Sequence, residues 1–317
     1  MKNIYSNILK FNNSNLKKIV KYLKKGGLVG IPTETVYGLA GNAYSDTTVK
    51  KIYQIKKRPS KNPLIIHYYS LAELEKDAIL NKIFFKLYKK FCPGPITFVL
   101  RKKHFSNISV HASSKLKTIA VRFPDHFIIK KILKKIPFPL AIPSANKSGG
   151  VSPTSPIDVA DEFKKKLKFI INGGSCKIGL ESTVVDLTGK LKILRPGYIS
   201  GKKIGQVIHV KVKLNKNSKK IKSPGMLKKH YSPDIPMKLN QKKSGKDNAF
   251  ITFGKNYKKT RHTFNLSKKS NLNEAAKNLY KTFRKIKKMK YKKISVVKIP
   301  NRGIGIAIND RLKHAAR

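Results

Sequence analysis

The run Pro32-Thr33-Glu34-Thr35-Val36-Tyr37-Gly38 crowds three hydroxyls and a carboxylate into a turn directly after a short apolar stretch. Proline stops a strand ladder, and small polar residues then favour a turn. A helix N-cap with its capping glutamate would use one hydroxyl, so three point to a binding site. Lys56-Lys57-Arg58-Pro59 and Asn62-Pro63-Leu64-Ile65-Ile66-His67 follow. Cations ending a helix before a proline also serve as ordinary charge caps, and a lone His67 is equally a satisfied core histidine. In Val121-Arg122-Phe123-Pro124, an arginine near the carboxyl end of an apolar strand either meets an edge carboxylate or lines a ligand crevice. Pro143-Ser144-Ala145-Asn146-Lys147-Ser148-Gly149-Gly150 offers small donors and close backbone approach. Glu181-Ser182-Thr183 opens one more strand and Leu194-Arg195-Pro196-Gly197 closes another, whereas Pro93-Gly94-Pro95 reads as a rigid turn. Hydroxyls, amides and cations of this kind suit an anionic ligand and electrostatic catalysis without a covalent intermediate. No GxxxxGK[ST] loop, GxSxG elbow, CxxC pair or HExxH motif occurs, so a P-loop enzyme, a nucleophile triad and a protein-held metal are not expected.

The elements that must position these groups alternate between helix and strand. Helical spacing covers Leu16–Leu23, Asp46–Lys56, Leu71–Leu80, Lys82–Phe91, Phe127–Leu133 and Pro156–Lys166. Strands are expected at Leu28–Ile31, Leu64–Tyr68, Ile96–Arg101, Thr118–Phe123, Leu140–Ile142, Phe169–Ile171, Thr183–Leu187 and Lys192–Leu194. That mixture predicts an α/β domain over residues 1–209 whose polar strand ends converge on one side of an open sheet. A Lys/Asn-rich stretch from Lys211 to Lys222 marks a linker, taken here as residues 210–235, which also holds Ser223-Pro224-Gly225-Met226 and His230-Tyr231-Ser232-Pro233. Residues 236–317 then read as a smaller α/β domain, with strands Pro236–Leu239, Ala249–Phe253 and Ile294–Ile299 and helices Asn273–Lys288 and Ile304–Ala315.

Charge frames the rest. Among 317 residues, 71 Lys+Arg face 15 Asp+Glu, a net +56 shared equally between residues 1–207 and the shorter 208–317. A lysine coat without a target and an electrostatic footprint for RNA fit this bias equally well. Arginine is scarce, and its rigid fork cannot be imitated by lysine, so each arginine merits separate inspection. With 40% hydrophobic residues the chain can build cores and is no disordered basic tail. Apolar runs such as Ile96–Leu100 fall far short of the roughly 20 residues a membrane span needs. Two cysteines and no apolar leader suggest the cytoplasm.

PTETVYGL, KKRPSKNPLIIH, CPGPITFVL, TIAVRFP, PSANKSGG, ESTVVD and LRPG, in this order, resemble the YrdC-type family of threonylcarbamoyl-AMP synthases. SPGMLKKHYSP and the closing GIGIAINDRLKHAA resemble its two-domain long form. The resemblance implies a twisted open mixed sheet with a basic concave face, followed by a small Rossmann-like α/β domain. It implies a nucleotidyltransferase that converts L-threonine, bicarbonate or CO2, and ATP into threonylcarbamoyl-AMP and pyrophosphate. The product would pass to a threonylcarbamoyl transferase for tRNA modification, and a direct contact with tRNA is open. Thr35, His67, Arg122, Ser144 and Ser182 would then line the threonine pocket. Lys56, Arg58, Asn62, Thr118, Asn146 and Arg195 would hold ATP, with Lys56 and Arg58 as the catalytic cations. A further nucleotide contact falls at Ser152 or Thr154, with Thr154 preferred, and Tyr231 would reach back over the nucleotide, forming a lid with Pro224-Gly225. Mg2+ would bridge the phosphates and keep several waters. The rival readings are a structured-RNA-binding module without catalysis and a related carbamoyl-adenylate activity serving another acceptor.

Overall fold

The structure, a computed structural model, describes residues 5–212, 214 and 230–316. The Ser223–Met226 stretch and the Pro224-Gly225 part of the lid reading lie outside the described residues, whereas His230 and Tyr231 lie within them.

Residues up to 208 build an eleven-stranded mixed sheet with helices against it. Its strands are β1 (Ile8–Lys10), β2 (Val29–Ile31), β3 (Gly38–Asn42), β4 (Ile65–His67), β5 (Ala78–Ile79), β6 (Ile96–Lys102), β7 (Thr118–Arg122), β8 (Leu140–Ala141), β9 (Phe169–Asn172), β10 (Thr183–Asp186) and β11 (Lys192–Arg195). The order is β1-β9-β2-β3-β8-β4-β7-β6-β10-β11, with β5 beside β6. The helices are α1 (Asn13–Lys24), α2 (Asp46–Lys56), α3 (Leu71–Glu75), α4 (Lys82–Phe91), α5 (Phe127–Leu133), α6 (Pro156–Phe163) and α7 (Gly201–Ile208).

Local chemistry explains the helix starts. Ser45 accepts from the Thr48 amide ahead of α2, and Ser155 and Asp158 form a reciprocal capping box ahead of α6, with Pro156 in its first turn. The expected single helix over Leu71–Leu80 is instead α3 followed by β5. Asp77 explains the break: its carboxylate accepts from Tyr44, Tyr68 and Ser106, and that tie ends the helix where the chain turns to pair with β6. Three strands went unread. In β1 an apolar pair of residues is too short to carry a period, and β3 is a Gly-rich GLAGN segment of low strand propensity. In the C-terminal part TFN is likewise too short.

Residues 237–296 form a second sheet of four parallel strands, β12 (Met237–Lys238), β13 (Ala249–Thr252), β14 (Thr263–Asn265) and β15 (Ile294–Val296), in the order β12-β15-β13-β14. Two helices accompany it, α8 (Leu272–Lys288) and α9 (Gly305–Ala315). Its apolar core takes in Val36, Val151 and Leu180 from the first part of the chain. Gly179, at φ +80°, approaches α8 so closely that a Cβ there would stand 2.6 Å from Lys277 Cα. Four of the chain's 15 acidic residues, Asp158, Asp161, Glu162 and Glu181, pair with Arg284, Lys288 and Arg311 across this junction. Among the described residues no helix is long and apolar enough to cross a membrane.

Candidate functional site

One small cavity of about 40 Å³ gathers Thr35, Val36, Arg58, Ile65, His67, Arg122, Ile142, Pro143, Ser144, Glu181, Arg195 and His230. Six residues singled out in the sequence therefore converge. They meet where several strands end: His67, Arg122 and Arg195 are the last residues of β4, β7 and β11. Ile65 and His67 sit two apart on β4 and share a face. β8 runs antiparallel to β4, so its following segment, Ile142–Ser144, enters from the opposite direction. Strand ends therefore do converge on the cavity, although in a mixed sheet they do not all belong to one carboxyl edge.

Each side chain has a local reason for its place. α2 ends at Lys57 in the left-handed region (φ 50°), a turn that keeps Lys57 exposed and buries both Lys56 and Arg58. Lys56 Nζ donates to the carbonyl of Ser144 at 2.5 Å and to that of Asn146. Arg58 donates to the carbonyls of Asn62 (2.9 Å) and Pro63 (2.8 Å). Neutral carbonyls thus hold both cations and leave their charge uncompensated by those contacts. Burial, then the neighbouring Arg58, pushes the Lys56 ammonium well below the usual lysine range, and burial brings Arg58 down to about 10.

Arg122 donates to Glu34 Oε1 at 2.6 Å, both side chains being buried, and its Nε has no partner among the described residues. His67 Nδ1 lies 3.2 Å from the Ile65 carbonyl, and burial, then Arg122, holds its imidazole neutral. Arg195 donates to the carbonyl and hydroxyl oxygens of Ser182, each at 3.1 Å, and the Ser182 hydroxyl lies 2.7 Å from that of Thr97. The three-hydroxyl argument is corrected in part. Thr33 braces its own turn by donating to the Val36 carbonyl at 2.6 Å, and Tyr37 bonds Gly173 and Gly174, so only Thr35 reaches the cavity.

Lys56, Asn62, Asn146 and Ser182 surround the cavity through these bonds without lining it. Thr118 begins β7, four residues before Arg122, and does not line it. The Thr154 hydroxyl donates to Asp158 at 3.3 Å, while that of Ser152 donates to the cavity residue Glu181 at 2.6 Å. Tyr231 is buried at φ 62°, its ring under the Arg311 guanidinium at 4.8 Å and beside His230 at 4.0 Å.

The sequence reading gave no role to Glu34, Glu181, His230 or Arg311. Scarcity was the signal available: in a chain with 15 acids, a Glu within each of two polar motifs is unusual. Burial opposes ionisation of Glu181, but Arg311, then Arg195 and hydrogen bonds from Ser152 and Arg311, outweigh it and bring the carboxyl down to about 2. Burial drives His230 down to about 3; the nearby Glu181 resists this, while Arg58, Arg195 and Lys56 add to it. Seven of the twelve buried side-chain atoms without a partner among the described residues lie here, on Glu34, Asn62 (two), Arg122, Asn146, His230 and Tyr231. Each such atom costs about 1–3 kcal/mol, so their concentration marks a place organised for something other than stability.

Residues 21–197 match a family model described as Telomere recombination, and residues 199–317 match one described as Threonylcarbamoyl-AMP synthase, C-terminal domain. The Threonylcarbamoyl-AMP synthase of Pyrococcus abyssi is 36% identical over 93% of this chain and 92% of its own length. That of Bacillus subtilis is 32% identical over 97% and 94%. The crystal structure of P. abyssi Sua5 complexed with L-threonine superposes with a TM-score of 0.90 at 33% identity, covering 98% of this chain and 97% of that one. With both models matched in order and relatives aligned over nearly their whole length, the chain belongs to the threonylcarbamoyl-AMP synthase family and carries that family's C-terminal domain.

Proposed function

We propose that the protein makes threonylcarbamoyl-AMP and pyrophosphate from L-threonine, CO2 or bicarbonate, and ATP. The carrying observation is the cluster of unpartnered buried polar atoms around cations held by neutral carbonyls. The threonine amine attacks the carbon of CO2 and sheds a proton, giving a carbamate. A carbamate oxygen then attacks the α-phosphorus as the bond from phosphorus to the pyrophosphate oxygen breaks. Neither step needs a protein nucleophile. The protein supplies proximity and charge neutralisation.

Arg122 suits the threonine carboxylate: Glu34 takes one nitrogen of its fork, and the unpartnered Nε remains available for an acceptor. Thr35, His67, Ser144 and Ser182 complete that pocket, with His67 neutral and able to accept or donate. Lys56, Arg58 and Arg195 meet the phosphates, Lys56 and Arg58 as the catalytic pair, while the Asn62 amide and the Asn146 Oδ1, unpartnered among the described residues, offer nucleotide contacts. The Ser152 hydroxyl, bonded to a cavity residue, is as apt a nucleotide contact as Thr154. Thr118, Thr154 and Tyr231 remain assigned to ATP on resemblance alone. Glu181, which lines the cavity, and Glu34, bonded to the cavity residue Arg122, already serve arginines, so Mg2+ would come with the triphosphate and would neutralise its charge without a carboxylate from this site.

About 40 Å³ is far below the roughly 300–1,000 Å³ of a small-molecule pocket. His230 lines this cavity, and on this reading the cavity widens by withdrawal of the His230–Tyr231 segment when substrates enter. On this reading residues 1–209 form the catalytic domain, 210–235 the linker and 236–317 the accessory domain. The product serves a threonylcarbamoyl transferase acting on tRNA, and the free thiols of Cys92 and Cys176 suit a cytoplasmic setting. Pyrophosphate release tests the proposal: it should require threonine and CO2 together with ATP. Release independent of threonine, or none with calorimetrically confirmed binding of neither substrate, refutes it.

A further inference from the structure

Arg311 belongs to α9, yet its fully buried guanidinium grips the other half of the molecule. Its Nε donates to Glu181 Oε2 at 2.9 Å, and one terminal nitrogen donates to the Pro196 carbonyl at 2.9 Å and to Asp310 at 2.6 Å. Glu181 immediately precedes Ser182, and Pro196 immediately follows Arg195. Ser182 and Arg195 are themselves bonded to each other. One side chain from the C-terminal part thus fastens both segments that deliver this pair. Resting on the adenylation reading, we propose that Arg311 is a positioning residue: it sets Ser182 for threonine and Arg195 for the nucleotide, acting through Glu181 and Pro196.

Three features support the assignment. First, there is no slack between the two segments, because a Cβ at Gly197 would lie 2.3 Å from the Thr183 nitrogen. Fixing one segment therefore fixes the other. Second, Glu181 also accepts from Tyr280 on α8 (2.9 Å) and from Ser152 (2.6 Å), so the C-terminal part supplies two of its three partners. Without Arg311, the Glu181 carboxylate would turn to the nearby Arg195 and cancel the charge meant for phosphate. Third, the same guanidinium lies over the Tyr231 ring, 4.8 Å from its centroid, which ties the linker to the same anchor.

A purely mechanical docking role is the alternative, and Lys288–Asp161 (2.7 Å) provides its control, since it bridges the same junction away from the cavity. The full chain is compared with Arg311→Met, Arg311→Lys and Lys288→Met. Arg311→Met should lower kcat/KM for both threonine and ATP about 100-fold, the scale of a small misplacement of reacting groups. Arg311→Lys keeps the charge but loses the fork, and should recover only part of that loss. Lys288→Met should stay within about twofold. Hydrogen exchange at residues 182–185 and 193–197 should accelerate in both Arg311 variants and not in Lys288→Met. Should Arg311→Met fail to fold, Arg311→Lys decides. A folded Arg311 variant with near wild-type kcat/KM and unchanged exchange overturns the proposal, as does Lys288→Met losing as much as Arg311→Met. If the unmodified chain makes no adenylate, the functional reading falls, and exchange alone judges the positioning claim.

Discussion

Burial without carboxylate partners is what makes Lys56 and Arg58 useful: their charge is held in place and not yet spent. Arg58→Ala should abolish pyrophosphate release, a loss beyond about 100-fold, while circular dichroism stays native. Lys56 carries a second consequence. Its ammonium is destabilised by burial and by Arg58, and an arriving triphosphate reverses both the isolation and the repulsion. ATP binding should therefore take up protons, the more so as pH rises past the free-site value, and calorimetry in buffers of different ionisation enthalpy reads this directly. For His230 the sign runs the other way. Its folded value, about 3, lies below the unfolded 6.5, so the stability it contributes is complete above pH 6.5. That contribution declines as pH falls toward 3, by up to about 1.4 kcal/mol per pH unit. His230→Ala should flatten the pH dependence of unfolding in that window, and an equally steep dependence in the variant would contradict the neutral buried imidazole.

At the scale of elements, the site depends on turns that aim side chains inward. α2, α4 and α5 fall where their periodicity and start signals put them, because each has a clear apolar face and a polar cap before it. α7 was not expected: it is short, opens on Gly201 and two lysines, and its apolar face, Ile204 with the partly buried Val207 and Ile208, spans barely more than one turn. Candidate site residues on strands were legible as polar interruptions of apolar runs, as at Arg122 and Arg195. What could not be read locally was pairing between distant segments, such as Arg122 with Glu34 or Ser182 with Arg195. Gly179 belongs to this class: its close approach to Lys277 exists only once both parts of the chain are folded. Gly179→Ala should lower stability by about 1–3 kcal/mol through overpacking and a strained φ. The melting temperature should fall accordingly, and an unchanged one would mean that α8 is not held against this loop.

Across the whole molecule, a strongly cationic chain places four of its 15 acids where they bind the two parts together. The shared apolar core of Val36, Val151 and Leu180 with the second sheet works to the same end. Sequence reading placed the family and the α/β fold with its second, smaller sheet, but left the C-terminal part without a task, because Arg311 and Glu181 are 130 residues apart. The adenylation account is tested most directly by incubating the purified protein with labelled bicarbonate, ATP and a panel of amino acids, then separating the nucleotides. A labelled adenylate with threonine, accompanied by equimolar pyrophosphate and absent with amino acids lacking the β-hydroxyl, is the predicted result. No labelled adenylate with any amino acid, from a protein that still binds ATP, would contradict it.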